Sequence, residues 1–326
     1  MSLRHLLTVT ALAAVTLGTA SAQAQTAAQN GGRLRALIAQ RQAAAAEAAL
    51  PVGVQRIADV PYGADPAQRM DVYVPTSPTG PGTGASSLVA SAVRAPVIFM
   101  VHGGGWRYGD KAMGRVVQEK VSRWVPKGFL LVSINYRMLP DTPVAVQERD
   151  VQAALMAAQQ RAGTWGGDPN RFILMGHSAG AHLVALLNAR APQVLREGAW
   201  PWLGTVSLDS AVMNVPAYMR APHLPLYDDA FGSDPAYWVA LSPIHQWTVG
   251  APPVQMVCST ERADQPCTQA DALARHVRNQ GGRAEVLPQD LGHGEINAQL
   301  GLESGYTRAV EAFMGSLDPE VARRLQ

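Results

Sequence analysis

The chain has 326 residues, of which 47% are hydrophobic and 16% are charged, and its formal net charge is only +2. The sequence has no basic run or patch of the kind that binds the phosphate backbone, so we expect no nucleic-acid partner. Beyond residue 24 no apolar stretch approaches the ~20 residues that a membrane-spanning helix needs. The part of the chain after residue 24 is near the upper size limit of one hydrophobic core.

The N-terminal 24 residues have the pattern of a secretory signal peptide. Arg4 precedes an apolar run from Leu6 to Leu17, and Ala20-Ser-Ala-Gln-Ala24 supplies small residues for cleavage. We therefore expect an exported protein, periplasmic or extracellular, without a membrane span after signal removal. The Ala- and Gln-rich segment 25–50 is expected to be flexible or loosely helical.

From residue 54 onward, strand patterns alternate with helical patterns. Strands are predicted at 54–61, 68–75, 96–101, 129–136, 171–176, 204–209, 253–258 and 284–288, and helices at 112–125, 144–161, 179–190, 268–279 and 305–316. This alternation predicts an α/β fold with a mostly parallel eight-stranded sheet and helices on both faces. The first two strands have no helix between them, so they should form an antiparallel edge. A Gly/Pro/Ser-rich surface loop is predicted at 76–87.

The third strand pattern runs directly into His102-Gly-Gly-Gly-Trp106. Successive glycines let backbone amides approach a developing oxyanion, which a Cβ would obstruct. The run lacks the Lys-Ser/Thr of a P-loop and the glycine spacing of a dinucleotide site. We therefore expect an oxyanion hole in which Gly104 donates together with Gly103 or Gly105. Trp106 either faces the substrate or packs in the core.

The fifth strand pattern runs into Gly176-His-Ser-Ala-Gly180, and a helical composition follows. A Gly-x-Ser-x-Gly between a strand and a helix is typical of a nucleophile elbow, whose tight turn exposes the serine hydroxyl above the sheet. Ser178 is therefore the predicted nucleophile, Ala179 a further oxyanion donor and His177 a candidate pocket residue. The alternative is a glycine-rich turn with a bystander serine.

Together, these two motifs resemble those of α/β-hydrolases of the esterase branch, in particular hormone-sensitive-lipase-like carboxylesterases and kynurenine formamidase-like esterases. Further stretches similar to the second group are Val60-Pro-Tyr-Gly63 with Met70-Asp-Val-Tyr-Val-Pro75, Gly105-Trp-Arg-Tyr-Gly-Asp-Lys111 and Gly176-His-Ser-Ala-Gly-Ala-His-Leu183. The resemblance spans roughly residues 54–317. It implies the α/β-hydrolase fold.

A serine nucleophile of this kind needs an acid and then a histidine downstream. His293 is the favoured base because its glycine-flanked loop follows the last strand, where ligands meet an open α/β sheet. Asp264, after the seventh strand, is the predicted acid that orients the imidazole. Glu261 is the runner-up, and Asp290 is assigned a structural role. Of the other downstream histidines, His182 and His276 lie in predicted helices, and His223 and His245 lie in the segment 212–247.

The two cysteines, Cys258 and Cys267, bracket the loop that carries Asp264. Export would place them in an oxidising compartment, so we expect a disulfide that holds both ends of this loop. The alternative is two buried thiols too far apart to bridge.

Aromatic residues and prolines concentrate in 212–247 without a simple period. We interpret this segment as a small cap that shapes the acyl or alcohol pocket, with Tyr227 and Trp238 as candidate pocket residues. The alternative is a surface excursion with its own small core. A hydrolase domain would then extend over 51–317, and 318–326 would be a C-terminal tail.

The resemblance and the residues together indicate a serine carboxylesterase that acts on small to medium esters through a Ser-Asp-His triad and an acyl-enzyme. No metal or organic cofactor is expected, and the partner is a small-molecule ester. An arylformamidase or other amidase on the same triad is the alternative, and a non-catalytic binding module is less favoured. The natural substrate and the oligomeric state stay open.

Overall fold

The computed structural model describes residues 50–76 and 94–326, together with Leu37, Gln40, Arg41, Ala44 and Ala45. The chain divides into two compact units, Met1–Ala45 and Ala46–Gln326. In the first unit, the five described residues are helical. The predicted signal peptide, most of segment 25–50 and nearly all of the predicted 76–87 loop lie outside the described residues.

One sheet of eight strands forms the centre of the second unit. The strands are β1 Val54–Pro61, β2 Arg69–Pro75, β3 Ala95–Val101, β4 Leu130–Ile134, β5 Gly167–His177, β6 Gly204–Leu208, β7 Val254–Ser259 and β8 Ala284–Gln289. Their order is β1-β2-β4-β3-β5-β6-β7-β8. β2 is antiparallel to both β1 and β4, and all other pairs are parallel. The predicted sheet and its antiparallel edge are confirmed.

Helices connect the strands and cover the sheet. They are α1 Gly114–Trp124, α2 Val144–Arg161, α3 Ala179–Ala189, α4 Ala191–Arg196, α5 Val215–Met219, α6 Pro225–Phe231, α7 Pro235–Ala240, α8 Pro243–Gln246, α9 Pro266–Asn279, α10 His293–Ala298, α11 Gly305–Gly315 and α12 Pro319–Leu325, with a 3₁₀ turn at Ala162–Trp165. Among the residues that the structure describes, no helix is both long and apolar enough to cross a bilayer.

Side chains of the central strands point alternately into two hydrophobic clusters, one on each face of the sheet. Along β3, Val97, Phe99 and Val101 belong to one cluster, while Ile98 and Met100 belong to the other. A parallel strand covered on both faces reads as a continuous apolar run rather than an alternating one. This explains why the central strands were recognisable in the sequence, and it confirms helices on both faces.

The predicted C-terminal tail is instead a packed helix. α12 begins with Pro319, and the Asp318 carboxylate accepts hydrogen bonds from the amides of Glu320 and Val321, which is a standard N-terminal cap. Val321 is fully buried in one of the two main clusters. Residues 318–326 therefore belong to the folded domain.

Four short helices, α5 to α8, account for the absence of a simple period in segment 212–247. Each has a proline at its first or second position, where the missing amide proton costs no helical hydrogen bond. Buried side chains of this segment, such as Val215, Tyr227 and Phe231, belong to the cluster that contains Val97, Phe99 and Val101 of β3. The segment therefore has no separate core of its own.

Candidate active site

Ser178 occupies a strained turn between β5 and α3, at φ 57° and ψ −118°. A non-glycine residue in this region persists only where its surroundings hold it. Here the Ser178 amide donates to the Leu208 carbonyl at 2.9 Å. A Cβ on Gly176 would collide with the Gly180 carbonyl, and one on Gly180 would collide with the Val101 carbonyl. The structure thus has the geometry of a nucleophile elbow, and the two glycines are needed on steric grounds.

His293 begins α10, directly after β8, and its ring faces the serine. Its Nε2 lies 2.9 Å from Ser178 Oγ, so the serine hydroxyl can donate to this nitrogen. The start of α10 is fixed by the Glu295 carboxylate, which accepts from the Gly292 amide at 2.8 Å. His177 Nε2 also lies 2.8 Å from the His293 carbonyl, which accepts its proton. The structure therefore brings Ser178 and His293 together.

The carboxylate beside His293 belongs to Asp209, not to the predicted Asp264. Asp209 follows β6, and its Oδ2 lies 2.5 Å from His293 Nδ1. Asp264 instead accepts from Arg262 Nε at 2.9 Å and Nη2 at 2.5 Å, and from the Tyr218 hydroxyl at 3.2 Å. The prediction of Asp264 as the partner of the imidazole is therefore wrong, because the Arg262 side chain occupies the space between them.

Glu261 and Asp290 do not take this position either. In the described hydrogen-bond network, Glu261 receives no bond from the imidazole, and the Asp290 carboxylate meets only the Thr260 hydroxyl at 3.5 Å. Asp209 was missed because the strand pattern was extended through residue 209. Its place at the carboxyl end of a buried strand makes Asp209 a second candidate, but Asp264 after the next strand has the same signal.

Asp209 is held as a carboxylate. Burial alone would favour the neutral acid, but the hydrogen bond from His293, the Arg262 guanidinium and the Ser259 amide together outweigh it, and the pKa of Asp209 is lowered. The Ser259 amide donates to Oδ1 at 2.8 Å, and Arg262 Nη1 donates to Oδ2 at the same distance. An ionised acid at this position favours the tautomer of His293 that carries its proton on Nδ1.

The glycine run after β3 forms a tight loop beside Ser178. Gly104, Gly105 and Trp106 all have positive φ values, of 121°, 61° and 58°. A Cβ on Gly104 would collide with the Tyr108 carbonyl, and one on Gly103 would lie 2.8 Å from the Ser178 Cβ. The Tyr108 amide closes the turn onto the Gly104 carbonyl at 2.9 Å. Only glycine permits this close approach of backbone to the serine.

A cavity of about 380 Å³ opens over Ser178 at the carboxyl edge of the sheet. The predicted Gly103, Gly104, Gly105 and Ala179 line it. So do the predicted pocket residues Trp106, His177 and Tyr227, and an apolar wall is added by Met113, Val116, Val212, Leu224 and Leu226.

The two tryptophans predicted for the pocket have different positions. Trp106 is only 2% exposed and packs edge-on against Tyr227 and Phe231, so it both lines the cavity and belongs to the core. Trp238 does not line the cavity. Its indole N–H donates to the Phe231 and Gly232 carbonyls inside the 212–247 segment.

Two buried histidines near the serine are neutral. Burial, together with the neighbouring His293, lowers the pKa of His177 to about 3, and burial lowers that of His182 to about 4. His182 Nε2 lies 2.7 Å from the Leu241 carbonyl, so it ties α3 to the end of α7. The other downstream histidines bond elsewhere: His223 to Asp228, His245 to Ser242 and His276 to Gln280.

Lys120 of α1 supports the far end of α10, a role that was not predicted from the sequence. Its ammonium donates to the Asn297 carbonyl at 2.6 Å and to the Asn297 side chain at 3.0 Å. Burial lowers the pKa of Lys120 to about 7. Since Asn297 also lines the cavity, Lys120 helps to hold both the helix that begins at His293 and one wall of the site.

The predicted disulfide is confirmed, since Cys258 and Cys267 are bonded. Cys258 lies in β7 and Cys267 in the first turn of α9, so the bond closes the loop that carries Arg262 and Asp264. The loop is thereby tied to the sheet at one end and to a helix at the other.

Comparisons of the sequence with known proteins point to esterases. The family model BD-FAE matches residues 89–199. A probable isoprenylcysteine alpha-carbonyl methylesterase of Oryza sativa is 32% identical over 131 residues, which are 40% of this chain and 28% of that protein. Esterase LipC of Mycobacterium tuberculosis is 29% identical over 235 residues, 67% of this chain and 54% of that protein. The chain thus spans between about a quarter and about half of the length of these relatives.

Solved structures show the same fold. Esterase B from Lactobacillus rhamnosus HN001 superposes with a TM-score of 0.64 at 20% identity, covering 90% of this chain and 95% of that one. A truncated carbohydrate esterase from gut microbiota gives 0.64 at 17% identity, covering 81% and 96%. The chain therefore has the α/β-hydrolase fold of these structures, and part of its sequence is similar to esterases.

Proposed function

We propose that this protein is a serine carboxylesterase whose triad is Ser178, His293 and Asp209. The observation that carries the proposal is the continuous hydrogen-bonded line from Ser178 Oγ to His293 Nε2 at 2.9 Å and from His293 Nδ1 to Asp209 Oδ2 at 2.5 Å. Nucleophile, base and orienting acid in this relation are the requirement for acyl transfer through a covalent intermediate.

In the first half of the proposed reaction, His293 Nε2 accepts the hydroxyl proton while Ser178 Oγ attacks the ester carbonyl. The carbonyl oxygen becomes an oxyanion, which the amides of Gly104 and Ala179 stabilise, with Gly103 or Gly105 as a neighbouring donor. Asp209 stabilises the imidazolium that forms. Collapse of the tetrahedral intermediate breaks the bond to the alkoxide, which leaves as the alcohol with the proton from Nε2.

In the second half, water takes the place of the alcohol. His293 removes a proton from water, and the hydroxide attacks the acyl carbon attached to Ser178 Oγ. Collapse releases the carboxylic acid and returns the proton to Oγ. Each half-reaction begins and ends with a neutral imidazole, so the residues alone complete the cycle.

The size and character of the cavity support small to medium esters. Its volume of about 380 Å³ is near the lower end of the usual range for small-molecule sites, roughly 300–1,000 Å³. An apolar wall that includes Met113, Val116 and Leu226 favours a short acyl chain or an apolar alcohol. Two of the named relatives, esterase LipC and the methylesterase, support an ester as the substrate.

Hydrolysis of p-nitrophenyl esters from acetate to dodecanoate tests the proposal. We expect turnover of the shorter chains by the wild-type protein and none above background by Ser178→Ala. If the wild-type protein has no activity above this variant on any chain length, the general esterase proposal is rejected.

An amidase is the second candidate, because a kynurenine formamidase of Salmo salar is 28% identical over 133 residues, 41% of this chain and 38% of that protein. An amide has a poorer leaving group, so its hydrolysis depends more strongly on protonation by His293. A matched pair of substrates, an N-formyl aniline and the corresponding phenyl formate, separates the two. We expect the ester to have the larger kcat/KM, and preference for the formamide would favour the second candidate.

Export to the periplasm or the exterior is also part of the proposal. The disulfide between Cys258 and Cys267 fits an oxidising compartment, and the N-terminal residues have the pattern of a cleavable signal. Expression of the full chain in a bacterium with periplasmic fractionation, followed by N-terminal sequencing, tests it. Processed protein beginning after Ala24 is expected, whereas unprocessed cytoplasmic protein would contradict export.

A further inference from the structure

Arg262 lies between two carboxylates and beside the imidazole. Its Nη1 is 2.8 Å from Asp209 Oδ2 and 2.9 Å from His293 Nδ1. Its Nε and Nη2 hold both oxygens of Asp264. The side chain is only 17% exposed, and it lines the cavity over Ser178. Such a paired guanidinium next to the proposed base is not explained by the triad itself.

The positions of the protons determine which of these contacts are hydrogen bonds. In the resting site Nε2 accepts from Ser178, so the ring proton is on Nδ1 and is donated to Asp209. Arg262 can only donate, because a guanidinium has no acceptor. Nδ1 and Nη1 therefore both donate to Asp209 Oδ2, and the cation stands next to the ring without bonding to it.

Asp264 completes the arrangement on the side away from the imidazole. It holds the opposite edge of the guanidinium and accepts from the Tyr218 hydroxyl of α5 at 3.2 Å. A planar fork that is held by carboxylates on two edges has little freedom to rotate. The two aspartates and Arg262 carry a combined charge of −1, the same as Asp209 by itself. Arg262 Nη1 lies 2.9 Å from the ring, whereas Asp264 lies behind the guanidinium, so the nearer positive charge makes the group favour a cation at the ring less than Asp209 would alone.

We propose that Arg262 is a positioning residue of this site: it fixes the Asp209 carboxylate against His293, and its charge opposes protonation of the imidazole. Asp264 acts on Arg262 and not on His293. This inference rests on the proposed function, since it concerns how the base of that reaction is kept free. Its consequence is that activity persists to lower pH than it would with Asp209 alone beside the ring.

Other titratable groups also face His293 or its partners, and the variants below leave them in place. The ring of His177, at the end of β5, lies against the His293 ring with a centroid distance of 4.5 Å and an angle of 35° between the ring planes. The remaining groups are Glu295 on α10, Lys120 on α1, Tyr306 on α11, Tyr218 and Tyr227 in the 212–247 segment, and Glu261 in the β7–α9 loop.

Three substitutions separate the charge of Arg262 from its geometry. Arg262→Met removes both, so the acid limb of the kcat/KM profile should move to higher pH by about one unit or more, the usual effect of a nearby charge. The plateau should also fall roughly ten- to hundredfold, because Asp209 loses a constraint.

Arg262→Lys keeps the charge but cannot span both aspartates, so it should restore the acid limb and not the plateau. In Asp264→Asn, the positive charge of Arg262 is no longer balanced by the Asp264 carboxylate, so the acid limb of this variant should move to lower pH.

Arg123→Met is the matched control. Arg123 also pairs with two carboxylates, Glu303 and Glu311, and its side chain is 19% exposed, but it does not line the cavity. Its profile should coincide with that of the wild-type protein. The experiment measures kcat/KM for p-nitrophenyl acetate across pH with each purified full-length variant, after circular dichroism confirms folding.

Coincident acid limbs for the wild-type protein, Arg262→Met and Asp264→Asn would overturn the inference. If Arg262→Met does not fold, the test rests on Asp264→Asn alone. A shift of its acid limb to lower pH supports the inference, and an unchanged acid limb overturns it. Failure of the proposed function looks different: there, the wild-type protein is inactive or Ser178→Ala keeps its activity.

Discussion

Replacement of Asp209 by asparagine is the sharpest perturbation of the proposed triad. The side chain is fully buried, and its two oxygens accept three described hydrogen bonds from side chains or the Ser259 amide. Asparagine has the same shape but only one acceptor oxygen, and its amide group is a donor. Whichever way it is turned, a donor then faces either the Ser259 amide or the pair formed by His293 and Arg262.

The expected loss follows from the tautomer of His293. With a donor at the former Oδ2 position, the favourable arrangement makes Nδ1 an acceptor and places the ring proton on Nε2. That nitrogen can then no longer accept the Ser178 proton. We expect kcat to fall by ~10⁴, the size of the effect when a triad acid is replaced by its amide. This corresponds to about 5 kcal/mol of transition-state stabilisation.

Steady-state hydrolysis of p-nitrophenyl butyrate measures the effect, with Asp264→Asn as the matched control. Asp264 does not touch the imidazole, so its plateau kcat should stay within about tenfold of the wild-type value. Thermal unfolding of both variants checks that the fold is kept. Near-normal kcat in Asp209→Asn with a collapse in Asp264→Asn would refute the reasoning and restore Asp264 as the acid.

Four further predictions concern the surroundings of the site. Gly104→Ala should lower kcat by ~10²–10³, because at φ 121° its Cβ meets the Tyr108 carbonyl; steady-state kinetics with wild-type values would contradict this. Serines at Cys258 and Cys267 should lower the free energy of unfolding by about 2–3 kcal/mol through lost loop closure, and an unchanged urea midpoint would count against it. The pKa of His182 is lowered from 6.5 to about 4, so below pH 6.5 the unfolded chain binds more protons than the folded one. The free energy of unfolding should therefore fall by up to about 1.4 kcal/mol per pH unit as the pH drops from 6.5 to 4. Urea titrations at several pH values should show a weaker pH dependence of this free energy for His182→Gln. Trp238→Phe should lower the free energy of unfolding by about 1 kcal/mol and leave KM unchanged, whereas a changed KM would place Trp238 in the pocket.

The parts of the site that backbone sterics require could be predicted from the sequence. Gly176 and Gly180 have no room for a Cβ, and the glycines after His102 adopt conformations that other residues rarely take. Such requirements leave a local pattern that can be read without the fold. The buried strands were equally visible, because cover on both faces makes them continuous apolar runs.

The acid could not be assigned in this way, because its role depends on which of two adjacent loops reaches the imidazole. β6 and β7 are neighbours in the sheet, and each is followed by a loop with an aspartate. Asp264 has the position expected from the chain order, but the Arg262 side chain, two residues before it, takes up its carboxylate. Local sequence spacing contains no information on this pairing.

Short helices limited the prediction of the remaining parts. Trp238 and Tyr227 look alike as candidate pocket residues in a segment without a period, and only the proline-initiated turns decide which of them faces the cavity. The seven-residue α12 is too short to give a clear helical pattern, so its burial through Val321 was not foreseen.

The central claim is that Ser178 forms an acyl-enzyme, and the trapped intermediate tests it most directly. The wild-type protein is mixed with p-nitrophenyl butyrate, quenched with acid during turnover and digested for mass spectrometry. We predict one butyryl group, located on the peptide that contains Ser178 and absent when Ser178→Ala is treated in the same way. A butyryl group on another residue that carries the turnover, or the same label in the Ser178→Ala protein, would contradict the account.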